Sequence, residues 1–179
     1  MATNLIFLLG PAGAGKSTLS KALAEKFDYV LYEIDQWPDA DGIDAHDLRR
    51  EWNAFLQSGG ADKLLDLLRH RAQTAGKQGM ILSFPSMLIL RGAHLRALNG
   101  KVRVVYLVGT EEQCRNAFLA REQQTGRRLD VAHWDRNNKA MFEFLKTQEA
   151  KPYVVEAFDQ GGSRRSFDQV VAAMARHGR

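Results

Sequence analysis

Four residues near the start of the chain stand at a spacing that can hold phosphate. Gly10, Gly15, Lys16 and Ser17 fit G-x-x-x-x-G-K-[ST] within "LLGPAGAGKSTLSKAL", directly after an apolar run and at the start of a run of helix formers. Glycines there let successive backbone N–H groups turn inward as an anion nest, and the open N–H groups of a helix start add partial positive charge. Gly10, Pro11, Ala12, Gly13, Ala14, Gly15, Lys16, Ser17 and Thr18 are therefore the candidate phosphate cradle. Lys16 would reach the β- and γ-phosphates, and the Ser17 hydroxyl would meet Mg²⁺, which prefers oxygen ligands. The expected ligand is a nucleoside triphosphate, with ATP and Mg²⁺ as the cofactors.

A second set of residues could act on that triphosphate. Glu33 and Asp35, in "YEIDQWPDADG", lie two apart and so on one side of a strand continued that far. Asp35 could orient or deprotonate an attacking hydroxyl, or hold a metal-bound water. The competing reading is a solvated turn aspartate. In "FLAREQQTGRRLDVAHWDRNN", Arg121, Arg127, Arg128 and Arg136 form a basic, glycine-containing hairpin that could close over the phosphates. A solvated basic loop is the alternative. Ser83 and Ser86 of "ILSFPSM", and Arg49 and Arg50 of "DLRREW", could contact an acceptor, although buried-strand serines commonly bond backbone and alternating charge commonly marks a wet helix face.

Other chemistries fit poorly. Asp39, Asp41 and Asp44 surround Gly42, but with that glycine at position six a calcium loop would place Trp37 first and Leu48 twelfth, where oxygen ligands are needed. Asp44 is instead a candidate N-cap for the next helix. The five histidines lack metal-ligand spacing, and with one cysteine, Cys114, there is neither a disulfide nor a cysteine-rich metal site. Cys114 reads as a small core residue. The third apolar run carries no aspartate at its end and the chain has no Asn-Lys-x-Asp, which disfavours a switch GTPase.

The elements that must position these residues alternate. "NLIFLLG", "YVLYEI", "GMILSF", "VRVVYLV" and "PYVVEAF" are short apolar runs that predict strands buried on both faces, separated by helical stretches. Leu48, Trp52 and Phe55 form one apolar stripe at helical spacing. Cys114, Ala117 and Phe118 form a second, and Phe167, Val170, Val171 and Met174 a third. Strand–helix alternation predicts an α/β fold with a parallel sheet covered by helices on both faces and right-handed crossovers. A chain of 179 residues, 45% hydrophobic, without repeats or a long linker, predicts one domain over 1–179. A net charge of +4 suits an anionic ligand and falls short of a nucleic-acid footprint. With "LIFLLG" too short for a signal or membrane helix, a cytoplasmic protein without a membrane partner is expected.

Together "GPAGAGKST", "YEID", "VVYLVGTEEQC" leading into "AREQQTGRR", and "YVVEAF" resemble the small P-loop kinases that include shikimate kinase, gluconate kinase, chloramphenicol phosphotransferase and the nucleoside monophosphate kinases. The resemblance implies the P-loop NTPase three-layer fold, with a five-stranded sheet of order 2-3-1-4-5, an acceptor region over about 35–75 and an arginine-bearing lid over about 121–136. In shikimate kinase a carboxylate pair ends the second strand, one toward magnesium and one toward the acceptor. Glu33 and Asp35 match that spacing, with glutamate at the first position. The single aspartate proposed as base in chloramphenicol phosphotransferase also matches Asp35. In "DQGGSRRS", where relatives wrap the adenine, Arg164 is a candidate to stack on the base. Two departures bear on the acceptor: "SFPS" replaces the triple-glycine turn of shikimate kinase, and the arginine pattern that reads a nucleoside monophosphate is missing. Neither of those acceptors is expected.

The reading is an ATP-dependent phosphotransferase acting on a small-molecule acceptor, through a hydroxyl. A kinase of nucleic-acid ends, which would want a basic groove with interleaved aromatics, and a non-catalytic nucleotide-dependent regulatory ATPase are the alternatives.

Overall fold

The first apolar run divides its side chains between two cores, as a strand buried on both faces must. In β1 (Asn4–Leu9), Leu5, Phe7 and Leu9 point to one side of the sheet and Ile6 and Leu8 to the other. The computed structural model of the chain describes residues 3–34, 46–126 and 131–176. After β1 come α1 (Lys16–Phe27), β2 (Tyr29–Glu33), α2 (His46–Ser58), α3 (Asp62–Thr74), β3 (Gly79–Ser83) and α4 (Ala93–Leu98). They are followed by β4 (Arg103–Val108), α5 (Glu111–Gln124), α6 (Val131–Leu145), β5 (Val154–Glu156) and α7 (Phe167–Arg176).

All strands pair in parallel in the order β2-β3-β1-β4-β5, as expected. One core is built on Phe7, with Trp52 and Phe55 of α2, Leu64, Leu65 and Leu68 of α3, and Phe84 beyond β3. Phe7, Trp52 and Phe84 meet edge-on or stacked at centroid distances of 4.8–5.9 Å, geometries that aromatic quadrupoles favour. The opposite core joins Leu8 and Ile81 to Leu19 and Leu23 of α1, Trp134 and Phe142 of α6, and Val170 and Met174 of α7.

Order along the chain places the functional ends together. β1 and β4 lie side by side with Leu9 opposite Tyr106, and β2 and β3 end side by side with Glu33 opposite Ser83. The loops after β1, β3 and β5 thus open at one edge of the sheet, where ligands of open α/β sheets bind. α5 starts with a capping box in which the Thr110 hydroxyl accepts from the Gln113 N–H (3.1 Å) and the Gln113 side chain accepts from the Thr110 N–H (2.8 Å). Among the described residues no helix is long and apolar enough to cross a membrane.

Candidate functional site

Between β1 and α1 the chain makes a loop that only small residues permit. At Gly13, with φ of +91°, an added Cβ would lie 1.9 Å from the Cys114 carbonyl oxygen, so the backbone of α5 closes directly on the loop. Gly15, with φ of +98°, stands at the N-cap of α1, and no side chain caps that helix. The N–H groups of Gly13, Gly15, Ser17 and Thr18 take no acceptor among the described residues. Open donors and the positive end of the α1 dipole thus face one loop, an arrangement that can hold an anion. Lys16 Nζ lies across the loop and donates to the carbonyls of Gly10 (2.8 Å) and Pro11 (3.0 Å).

The loop is held from outside by residues far along the chain. On α6, Asn138 Oδ1 accepts from the Ala12 N–H (2.8 Å) and Trp134 Nε1 donates to the Ala12 carbonyl (3.2 Å). Asn138 Nδ2 donates to the Trp134 carbonyl (2.7 Å), so an amide only 1% exposed is bonded through both its oxygen and its nitrogen. From the segment between β5 and α7, Arg164 donates to the carbonyls of Ala14 (2.9 Å) and Gly13 (2.7 Å). Replacing Asn138 by alanine orphans the partly buried Ala12 N–H and leaves a gap at a position 1% exposed. About 2–3 kcal/mol of stability is the expected loss, read as a lower denaturation midpoint at unchanged slope in urea.

A cavity of about 550 Å³, a size suited to a small molecule, opens over the cradle. Its lining comes from both sides of β1 in the sheet. On the β3 side are Ser83, which ends that strand, and Phe84, Pro85 and Ser86 beyond it; on the β5 side are Arg164, Arg165 and Phe167, which starts α7. Arg121 of α5 reaches the same space. Its guanidinium lies 5.2 Å from the Phe118 ring centroid and donates through Nε (3.0 Å) and Nη2 (2.7 Å) to one oxygen of Glu122, a buried carboxylate. Glu33 is buried at the end of β2.

Of the expected site residues, Gly13, Ala14, Gly15, Lys16, Ser17, Thr18, Arg121 and Arg164 line this one cavity, as does Ala12, and Pro11 lies buried just before them. Asp35, Arg127 and Arg128 lie outside the described residues, as do Asp39, Asp41 and Asp44. The described part of the acceptor region is α2 and α3, and of the lid, 121–126 and 131–136. Arg49 and Arg50 line a separate, shallow depression on α2 with His46 and Gln57. Cys114 is fully buried against the loop, and burial pushes its thiol up to about 11, which keeps it protonated and unreactive at neutral pH. Burial also raises the Glu156 carboxyl at the end of β5, with the charge of Arg165 opposing.

Sequence reasoning passed over Trp134, Asn138 and Glu122. A signal existed for the first two. Trp134, Asn138, Met141 and Phe142 repeat at helical spacing on α6 and are all buried, and an asparagine inside such a stripe needs a polar partner.

The donor set suits magnesium triphosphate. Ser17, which lines the cavity, offers the hard oxygen Mg²⁺ prefers, whereas Glu33, buried at the end of β2, is not among the lining residues.

A family model described as "AAA domain" matches residues 5–144 of the 179. A shikimate kinase from Francisella philomiragia is 32% identical over 115 residues, covering 62% of this chain. The chain spans about three fifths of that relative's length, 61%. Among solved structures, a gluconokinase from Sinorhizobium meliloti is 17% identical and superposes with a TM-score of 0.52 over 98% of this chain and 93% of that one. A shikimate kinase from Bacteroides thetaiotaomicron is 18% identical, with a TM-score of 0.51 over 97% and 95%. At those identities the likeness is one of fold.

Proposed function

Since the chain belongs to the AAA domain family and has the fold of the small P-loop kinases, we propose that it is an ATP-dependent phosphotransferase acting on a small-molecule acceptor through a hydroxyl. The observation that carries this reading is the cavity lined from both sides of β1. An ATPase that only hydrolyses or senses nucleotide needs the cradle and a place for the base. Here the lining also takes in Ser83, Phe84, Pro85 and Ser86 from the β3 side of β1, opposite the β5 side that carries Arg164 and Phe167, which supports a place for a second substrate beside the nucleotide. The similarity to a shikimate kinase supports the same class of reaction.

In this reading the acceptor hydroxyl attacks the γ-phosphorus, the bond from that phosphorus to the β–γ bridging oxygen breaks, and ADP leaves. Asp35 takes the hydroxyl proton or orients the oxygen that carries it. The N–H groups of Gly13, Gly15, Ser17 and Thr18 hold phosphate oxygens. Lys16 exchanges its carbonyl partners for the β- and γ-phosphates, and Arg121, with Arg127 and Arg128 from the lid, stabilises the charge spread over the transferred group. Ser17, with Glu33 and Asp35 as the expected carboxylates, would hold Mg²⁺, which when bound would neutralise phosphate charge.

Neither shikimate nor a nucleoside monophosphate is the acceptor in this reading: Phe84 and Pro85 stand where shikimate kinase has its triple-glycine turn, and the sequence lacks the arginine pattern that reads a nucleoside monophosphate. Incubating the protein with a fractionated metabolite pool, ATP and Mg²⁺ should yield a new species heavier by one phosphoryl group, together with stoichiometric ADP, in mass spectrometry. ADP and inorganic phosphate alone, across all fractions, would refute the kinase reading in favour of an ATPase. Labelling of oligonucleotide 5′ ends in place of any small molecule would favour the nucleic-acid-end kinase.

A further inference from the structure

Arg164 spends its donors on the protein. Nη1 and Nη2 are taken by the carbonyls of Ala14 and Gly13, 150 and 151 residues earlier in the chain. Its guanidinium carbon lies over the Phe158 ring, 4.7 Å from the centroid. The segment that carries it is tied to itself. Phe158 and Arg164 form an antiparallel bridge, the Asp159 N–H donates to Ser163 (2.8 Å), the Arg165 N–H donates to Ala157 (2.9 Å), and Arg165 Nε donates to the Phe158 carbonyl (3.1 Å). A long, rotamer-rich side chain is thereby delivered in one geometry.

What the fork grips decides where the loop points. In a trans peptide unit the C=O and N–H face opposite ways. Fixing the Ala14 carbonyl toward Arg164 turns the N–H of Gly15 away from it, and that N–H has no acceptor among the described residues. The approach is so close that a Cβ on Gly15 would lie 2.5 Å from Arg164 Nη1. Gly15 is small for Arg164 as well as for phosphate.

We propose that Arg164 is a positioning residue that sets the shape of the phosphate loop, and that it acts on the phosphates through the backbone of Gly13 and Ala14 instead of stacking on the nucleotide base. The proposal rests on the nucleotide-binding part of the function given above. Planar geometry matters to it, because an ammonium is a point charge that cannot hold two successive carbonyls in the orientation a guanidinium fork imposes.

Inorganic tripolyphosphate separates the two roles, since it fills the cradle and has no base. Binding of ATP and of tripolyphosphate, each with Mg²⁺, is measured by titration calorimetry for the wild type and for Arg164→Ala, Arg164→Lys and Lys16→Ala. Arg164 is exposed, so its variants should melt like the wild type without ligand. Arg164→Ala should weaken both ligands by the same factor, roughly tenfold for two charge-assisted bonds. Arg164→Lys should stay nearer to alanine than to arginine. Weakened ATP binding with unchanged tripolyphosphate binding would overturn the proposal in favour of base stacking, and full recovery in Arg164→Lys would overturn it in favour of bulk charge. If the wild type binds both ligands and Lys16→Ala binds neither, wild-type affinity in Arg164→Ala overturns this inference alone. A wild type that binds neither ligand removes the nucleotide reading and this one with it.

Discussion

Replacing Lys16 with alanine is expected to remove most of the rise in melting temperature that Mg²⁺-ATP gives the wild type. A ligand at a hundred times its dissociation constant adds about 2.7 kcal/mol to the folded state, or roughly 5–10 °C for a domain of this size. Lys16 can be removed without disturbing a core: its Nζ donates to the backbone carbonyls of Gly10 and Pro11, and the loop keeps its holds through Asn138, Trp134 and Arg164. What is lost is the one side-chain cation in the loop itself. The ligand-free melting temperature should stay within about 2 °C of the wild type, as for a substitution away from the core. An undiminished nucleotide shift in Lys16→Ala, measured by differential scanning fluorimetry at millimolar ATP, would place the triphosphate elsewhere.

The parts of this site that were legible in the sequence are those whose cause is local. The unbroken apolar run in "NLIFLL" and the three-to-four spacing of Leu48, Trp52 and Phe55 each encode burial within a few residues, and those side chains are buried where the pattern puts them. The phosphate loop is local too. Other readings were blurred by neighbours: "PYVVEAF" yields a strand only at Val154–Glu156, because Lys151–Tyr153 winds into a 3₁₀ turn with proline at its start. The α5 stripe is half a stripe, with Cys114 buried while Ala117 borders the cavity and Phe118 is only partly covered. The clamps on the loop had no local cause. Arg164 meets Gly13 and Ala14, and Asn138 meets Ala12, across 126–151 residues, and no spacing rule reaches that far. Only the fold brings the start of the chain, α6 and the turn after β5 to one edge of the sheet.

Asp35→Asn carries the test of the chemistry, and it should separate binding from turnover. The substitution preserves size and removes the basic oxygen, so phosphotransfer to the acceptor should fall by roughly 10²–10⁴-fold. Nucleotide binding rests on the cradle between Gly13 and Thr18 and should leave the ATP-induced melting shift nearly intact. A carboxylate that instead held the metal would show itself differently, as a higher Mg²⁺ requirement for ATP binding. Glu33→Gln supplies that comparison. Glu33 ends β2 opposite Ser83 and is buried, two residues before Asp35, the spacing of the paired carboxylates. If the pair divides the labour, Glu33→Gln raises the Mg²⁺ requirement and Asp35→Asn lowers the rate of transfer at saturating Mg²⁺. The order of the two phenotypes is informative because both residues lose one negative charge, so a difference between them reflects position and not net field. Undiminished transfer in Asp35→Asn would remove the aspartate from the reaction and leave the hydroxyl proton to solvent or to the departing phosphate, with catalysis resting on Lys16 and the arginines alone.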